Sequence, residues 1–373
     1  MKIMPNRMDR GFFAYQEEYE AKALAVLRSG YYILGPEVEG FEKEFAALVG
    51  CEHAVGVASG LDALYLAFRA LGIGAGDEVI VHANTYIASV MGITMNGATP
   101  VFVEPDECYG PDPAKIEEAI TDKTRAVLVV HLYGQPCQMD EIVKITKRRG
   151  LKLVEDCAQS HMAAFGGRMT GSFGDIGCFS FYPSKNLGAF GDAGAITTDD
   201  AEIADRIRML RNYGSKKRYY NEEVGVNSRL DELQAGLLRV RLSHLSDMTR
   251  EKQELAALYD KLLKPVDGAF EKPKKRENAT HVYHQYVLRA KDHETRDRLI
   301  EYLAKREIGT IIHYPIPPHL SEAYAYLGYK RGSFPVTERF ADTVVSIPMY
   351  NGMTQEEQAA VIGALNAFSP AAK

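Results

Sequence analysis

Short apolar runs alternating with amphipathic helical stretches, from about residue 37 onward, constrain this chain more than any other feature. Val38, Phe41, Phe45 and Leu48 sit at helical spacing and precede a strand expected at His53–Ala58. A helix is predicted over Leu61–Leu71, strands at Glu78–Ala83 and Thr99–Glu104, and a helix between them at Ile87–Met95. The alternation continues with a strand at Ala126–Leu132, a helix near Asp140–Arg149 and a strand at Leu151–Asp156. Apolar strands interleaved with amphipathic helices indicate an α/β fold, with a mostly parallel sheet covered on both faces.

Two further strands are expected at Cys178–Phe181 and Gly194–Thr197. A long helical stretch follows from Leu230 to Leu263, expected to break near Leu245–Thr249. After Pro265 the segment KPKKREN reads as a loop, and the last hundred or so residues read as a smaller α+β unit. A length of 373 residues suits two domains, 1–248 and 249–373.

Composition narrows the function classes. The net charge is -6 with no basic block beside it, which argues against nucleic-acid binding. No apolar run reaches the roughly 18–20 residues of a membrane span, and MKIMPNRMDRGFF lacks the apolar core of a signal peptide, so a cytoplasmic location without membrane contact is expected. Cys51, Cys108, Cys137, Cys157 and Cys178 are odd in number, widely spaced and free of C-x-x-C pairs. They read as reduced, inert thiols.

Some signals are discounted. Gly72-Ile-Gly74-Ala-Gly76 follows a helix and precedes a strand, the reverse of a dinucleotide loop. No histidine pair has metal-ligand spacing on a helix, so no metal is expected. Lys272–Arg276 reads as a solvated loop, and the sequon at Asn278 as chance.

Three separated segments fit one chemistry. In LKLVEDCAQS a strand ends at Asp156, and ligands collect at the carboxyl ends of parallel strands. A carboxylate there suits a protonated pyridine nitrogen, with Gln159 placed for a ring hydroxyl. In FSFYPSKNLGAFGDAGAI, Lys185 occupies a Gly/Pro/Ser-rich loop between strands, where a desolvated amine can form a Schiff base, and Ser180 offers a hydroxyl to a phosphate. In GVASGLDALYLAF, Ser59-Gly60 opens a helix after a strand, which makes an anion site. Tyr86 follows the next strand and could stack on a planar ring.

In this order the segments SGYYILGPEVEGFE, SGLDAL, GDEVI, EDCAQSH, FSFYPSKNLGAFGDAGAI, GVNSRLDELQAG and HYPIPPHL resemble the DegT/DnrJ/EryC1/StrS family of sugar aminotransferases, nearest the branch acting at C3 of dTDP-3-oxo-6-deoxyhexoses. The resemblance implies the aspartate aminotransferase-like fold type I and pyridoxal 5′-phosphate as cofactor. It implies that Lys185 bonds covalently to the cofactor, that Asp156 and Gln159 meet the ring nitrogen and oxygen, and that Tyr86 stacks on the ring. Ser59, Gly60, Leu61 and Ser180 would hold the phosphate. Many relatives have Thr where Leu61 stands, so a backbone N–H serves there; His161 would lie behind the cofactor contacts.

By the same resemblance Asn227 reaches the phosphate in the neighbouring subunit, making a homodimer with composite sites. The implied reaction moves an amino group from L-glutamate to a dTDP-sugar, with Lys185 as nucleophile and acid/base. Lys216, Lys217, Arg218, Tyr219 and Tyr220 are candidates for the sugar nucleotide, with Tyr182, His313, Tyr314 and His319. Arg229 is a candidate for the donor carboxylate. Competing readings are a UDP-3-oxo-uronate aminotransferase, a sugar dehydratase in which histidine replaces the lysine, and a non-catalytic regulator.

Overall fold

Seven strands form the sheet that the alternation predicts: β1 (His53–Val57), β2 (Glu78–His82), β3 (Thr99–Val103), β4 (Thr124–Val130), β5 (Lys152–Asp156), β6 (Ile176–Ser180) and β7 (Gly194–Thr198). The structure, a computed structural model, describes residues 1–370. The spatial order is β1-β7-β6-β5-β4-β2-β3, and only β7 runs antiparallel to its neighbours.

Burial on both faces explains why these strands read as unbroken apolar runs. Because successive side chains alternate, Val79, Val81 and Leu128 face Leu64 and Phe68 of the helix Gly60–Ala70 together with Val90 and Ile93 of the helix Ile87–Thr94. Ile80, Val127 and Val129 face the other way, onto Ile142 and Ile145. Phe41 and Phe45 press on Phe179 and Phe181, with ring centroids 4.9–5.4 Å apart.

The helices that matter for the site are α1 (Met8–Phe13), α2 (Gln16–Ser29), α3 (Pro36–Val49), α4 (Gly60–Ala70), α5 (Ile87–Thr94) and α6 (Glu232–Leu262). α6 corrects one expectation, since it runs without a break through Leu245–Thr249. Leu245, Met248, Thr249 and Lys252 are all buried, so the inward stripe continues where His244, Ser246 and Asp247 made the sequence look interrupted.

A three-stranded antiparallel sheet of β8 (Phe270–Glu271), β9 (Tyr286–Ala290) and β10 (Val344–Ile347) lies in the C-terminal part. Its core joins Tyr259, Leu263, Leu288, Val345, Leu303 and Leu365. Ile3 belongs to that core as well: its N–H donates to the Glu307 carbonyl and its carbonyl accepts from the Gly309 N–H, both at 2.8 Å. Among the described residues no helix is long and apolar enough to cross a membrane.

Chain direction now sets the site. β1, β2 and β5 all end on one side of the sheet, followed by Ser59, Tyr86 and Ala158. The antiparallel β6–β7 pair turns at that same side, through the loop carrying Lys185.

Candidate active site

A cleft of about 490 Å³ opens at those strand ends. Ser59, Gly60, Leu61, Tyr86, Asp156, Gln159, Ser180, Tyr182, Lys185, His313 and Tyr314 all line it, so residues up to 255 positions apart in the chain share one cavity.

At one end, Ser59 caps α4: its Oγ accepts from the Asp62 N–H at 3.1 Å. The amides of Gly60 and Leu61 stand ahead of the first intrahelical bond, at the positive end of the helix dipole. Asp62 is held away from that anion site by Ser228, whose Oγ donates to Asp62 Oδ2 at 2.8 Å. Gly60 is required by a close approach, because a β-carbon there would lie 2.5 Å from Ser180 Cβ. Helix end and β6 thus meet tightly around Ser180, whose Oγ accepts from the Tyr182 N–H at 3.3 Å.

In the floor, Asp156 is 5% exposed. Ser89 Oγ donates to its Oδ2 at 2.7 Å and the Ala158 N–H to its Oδ1 at 3.1 Å. Burial nevertheless raises its pKa above the usual carboxylate value, with both hydrogen bonds and the charge of Lys185 opposing. Burial also lowers the Lys185 amine to about 8, against a smaller raising effect of Asp156. A lysine made weakly basic near a buried carboxyl is a nucleophile close to neutral pH.

Gln159 is fixed from both ends. Its Oε1 accepts from the Tyr133 N–H at 2.6 Å and its Nε2 donates to the Tyr314 hydroxyl at 3.0 Å. The rings of Tyr86 and Tyr314 lie 5.0 Å apart at 37°, forming an aromatic wall. His313 pairs through Nε2 with Gln285 at 2.8 Å and through Nδ1 with Ser346 at 2.8 Å. His161 sits behind, against Phe179 and Phe181, with both ring nitrogens unpartnered and burial holding it neutral at about 3.

The donor set fits pyridoxal 5′-phosphate. A helix-end cradle that a β-carbon would fill suits the phosphate, a buried carboxyl with a raised pKa suits a ring N–H, and a desolvated amine suits an aldehyde.

Other sequence candidates lie elsewhere. His319 is 1% exposed and pairs with Glu338 Oε1 at 3.1 Å, packed on Phe334; it is a core residue here and does not line the cleft. Lys217 and Tyr219 sit exposed around a small hairpin (Ser215–Lys217 with Tyr220–Asn221), and Lys217 lies over the Tyr220 ring. Arg229 donates to Asn212 Oδ1 at 3.1 Å and lies over Tyr213, while Asn227 is exposed; neither lines this cleft. Sequence reasoning missed Ser89, His284 and Gln285, all in the cleft wall. Ser89 carried a readable signal as a polar residue inside the largely apolar helix IASVMGIT.

Comparison with known proteins extends the local match. A sequence profile described as the DegT/DnrJ/EryC1/StrS aminotransferase family matches residues 14–366. The chain is 51% identical over 356 residues to dTDP-3-amino-3,6-dideoxy-alpha-D-galactopyranose transaminase of Aneurinibacillus thermoaerophilus, covering 95% of this chain and 96% of that one. It is 48% identical over 360 residues to dTDP-3-amino-3,4,6-trideoxy-alpha-D-glucose transaminase of Streptomyces venezuelae, covering 95% and 94%. It superposes on the X-ray crystal structure of S. venezuelae DesV in complex with a ketimine intermediate with a TM-score of 0.95, at 46% identity and 98% coverage of each chain. These matches run through both cores and not merely through the cleft motifs, so the protein belongs to the DegT/DnrJ/EryC1/StrS aminotransferase family.

Proposed function

We propose that the protein transfers the amino group of L-glutamate to C3 of a dTDP-3-oxo-6-deoxyhexose, releasing 2-oxoglutarate and a dTDP-3-amino-3,6-dideoxyhexose. The protein is an aminotransferase of a family that uses pyridoxal 5′-phosphate. The observation that carries the reading is the pairing, in one cleft, of a lysine with lowered basicity and a buried carboxyl at a strand end. The names of the relatives support the sugar nucleotide.

When bound, the cofactor supplies a cationic ring that draws electrons from the donor's Cα–H bond. The Gly60 and Leu61 amides, with Ser59 and Ser180, would hold its phosphate. Asp156 would keep a proton on the ring nitrogen, because an ion pair in this desolvated floor favours the charged ring. Gln159 would present its amide to the ring oxygen, and Tyr86 would cover the ring face. Lys185 Nζ would take the proton from the donor's Cα and hold it for return, its lowered pKa matching both directions near neutral pH.

Asn227 and Arg229 lie outside this chain's cleft, which supports a composite site in which they serve a second copy of the chain. The division into units 1–248 and 249–373 is part of the same proposal, supported by the core around Leu288 and Leu303, which of the first unit's buried residues takes in Ile3.

The test is a half-reaction of the holoenzyme with L-glutamate, followed by a panel of dTDP-3-oxo-6-deoxy and UDP-3-oxo-uronate sugars. The expected product is an amine at C3 of the dTDP sugar, located by NMR. Amination at another ring carbon, or no discharge of the cofactor by any amino acid, overturns the reading.

A further inference from the structure

Behind Lys185, on the side of the small sheet, lies a second cavity of about 150 Å³. It shares Lys185, His284, Gln285 and His313 with the cleft and is roofed by residues 5–8 and Gly11. Its lining contains Arg7, Lys185, Arg241 and Lys252 but no aspartate or glutamate.

Arg7 is answered by Asp9 at 2.6 Å, and Lys185 has its role in the cleft. The other two cations have no such answer. Among the described residues neither Arg241 nor Lys252 has a carboxylate within ion-pair distance, and Arg241 Nε is buried with no partner. Lys252 is 6% exposed, and its Nζ donates only to neutral oxygens: Asn186 Oδ1 at 3.1 Å and the His284 carbonyl at 3.0 Å. An ammonium has three donors, so one remains. Gln285 also lines the cavity, and its Oε1 is a buried acceptor with no donor.

Two cations lining one cavity without an ion-pair partner are costly to bury, and an anion reduces that cost. The orphaned acceptor asks for a donor. We propose that this cavity is the amino-donor site, in which Arg241 and Lys252 receive a carboxylate of the donor while Gln285 Oε1 and Lys185 face its amine. The inference rests on the aminotransferase reading and names the substrate subsite within it. Size selects the occupant: pockets for large organic ligands run to roughly 300–1,000 Å³, so this one suits a small amino acid and not a nucleoside diphosphate. Burial, with the nearby charge of Arg241, lowers Lys252 to about 7 against a smaller raising effect of Glu251.

The test measures binding of glutarate, a dicarboxylate with no amine to transfer, to the holoenzyme by titration calorimetry, alongside KM for L-glutamate. Lys252→Met and Arg241→Gln are each expected to raise both constants about tenfold or more, with recovery in Lys252→Arg. Asn6→Asp, an exposed and isosteric change at the cavity wall, is expected to weaken glutarate about threefold through added negative charge; it keeps the test decisive if a core variant folds poorly. Unaltered glutarate binding in Asn6→Asp and in the folded core variants overturns the cavity assignment. Failure of the wild-type holoenzyme to accept L-glutamate at all instead overturns the donor reading on which it rests.

Discussion

Ser89 donates its hydroxyl proton to Asp156 Oδ2 across 2.7 Å, and both groups are buried. That bond opposes the desolvation that raises the Asp156 pKa, and Thr85 Oγ1 lies 2.8 Å behind Ser89 to orient it. Ser89→Ala removes a hydrogen bond to a charged group, of the kind that contributes about 1.5–3 kcal/mol. Cofactor binding is expected to weaken and kcat to fall about tenfold or more, with Ser89→Thr recovering part of the loss; titration with the cofactor and steady-state rates check both.

Lys185 gives a pH prediction for the protein before cofactor is added. Its amine reacts only when neutral, and burial places its midpoint at about 8 instead of the ordinary 10.5. The rate of covalent uptake should rise about tenfold per pH unit up to about pH 8 and then level off. Between about 8 and 10.5 the folded chain binds fewer protons at this position than the unfolded chain, so this lysine's cost to stability is full below 8 and fades as pH rises. Stopped-flow absorbance tests the first part. Melting of Lys185→Met across pH, which should lack the slope, tests the second, and borohydride reduction should leave no adduct at position 185 in that variant.

The contact between Gly60 and Ser180 leaves no room for a methyl group. Gly60→Ala should force the start of α4 away from β6 and cost about 1–3 kcal/mol of stability. The loss should fall most heavily on phosphate affinity, so equilibrium binding of cofactor should weaken more than the melting temperature drops.

A composite site makes a prediction about mixed subunits. Lys185→Ala and Asn227→Ala are each expected to be nearly inactive alone. Unfolded together and refolded as a mixture, they should regain about a quarter of wild-type activity, because half the dimers then contain one intact site of two. No recovery, with mixed dimers verified by mass spectrometry, would assign Asn227 to its own chain.

Much of this site could be read from the chain because its central groups sit at strand ends, where apolar periodicity stops and a polar side chain stands out. Asp156 and Lys185 are of that kind. Gln285 and His284 are not, since their place in the wall depends on the Val282 N–H donating to the Gly134 carbonyl at 2.9 Å, nearly 150 residues away. His319 differs for a related reason: the resemblance made it a sugar-nucleotide candidate, while Glu338, 19 residues on, pairs with it in the core. The continuity of α6 was hidden because exposed polar residues mask an inward stripe when the helix is long enough to pass between two cores.

The stitching of Ile3 to Glu307 and Gly309 carries a consequence for how the molecule is made. Residue 3 leaves the ribosome early, but its partners follow about 300 residues later. At about 5–20 residues per second that interval lasts about 15–60 s. Throughout it Ile3 lacks these partners, and the roof over the cavity behind Lys185 closes only when translation is nearly over.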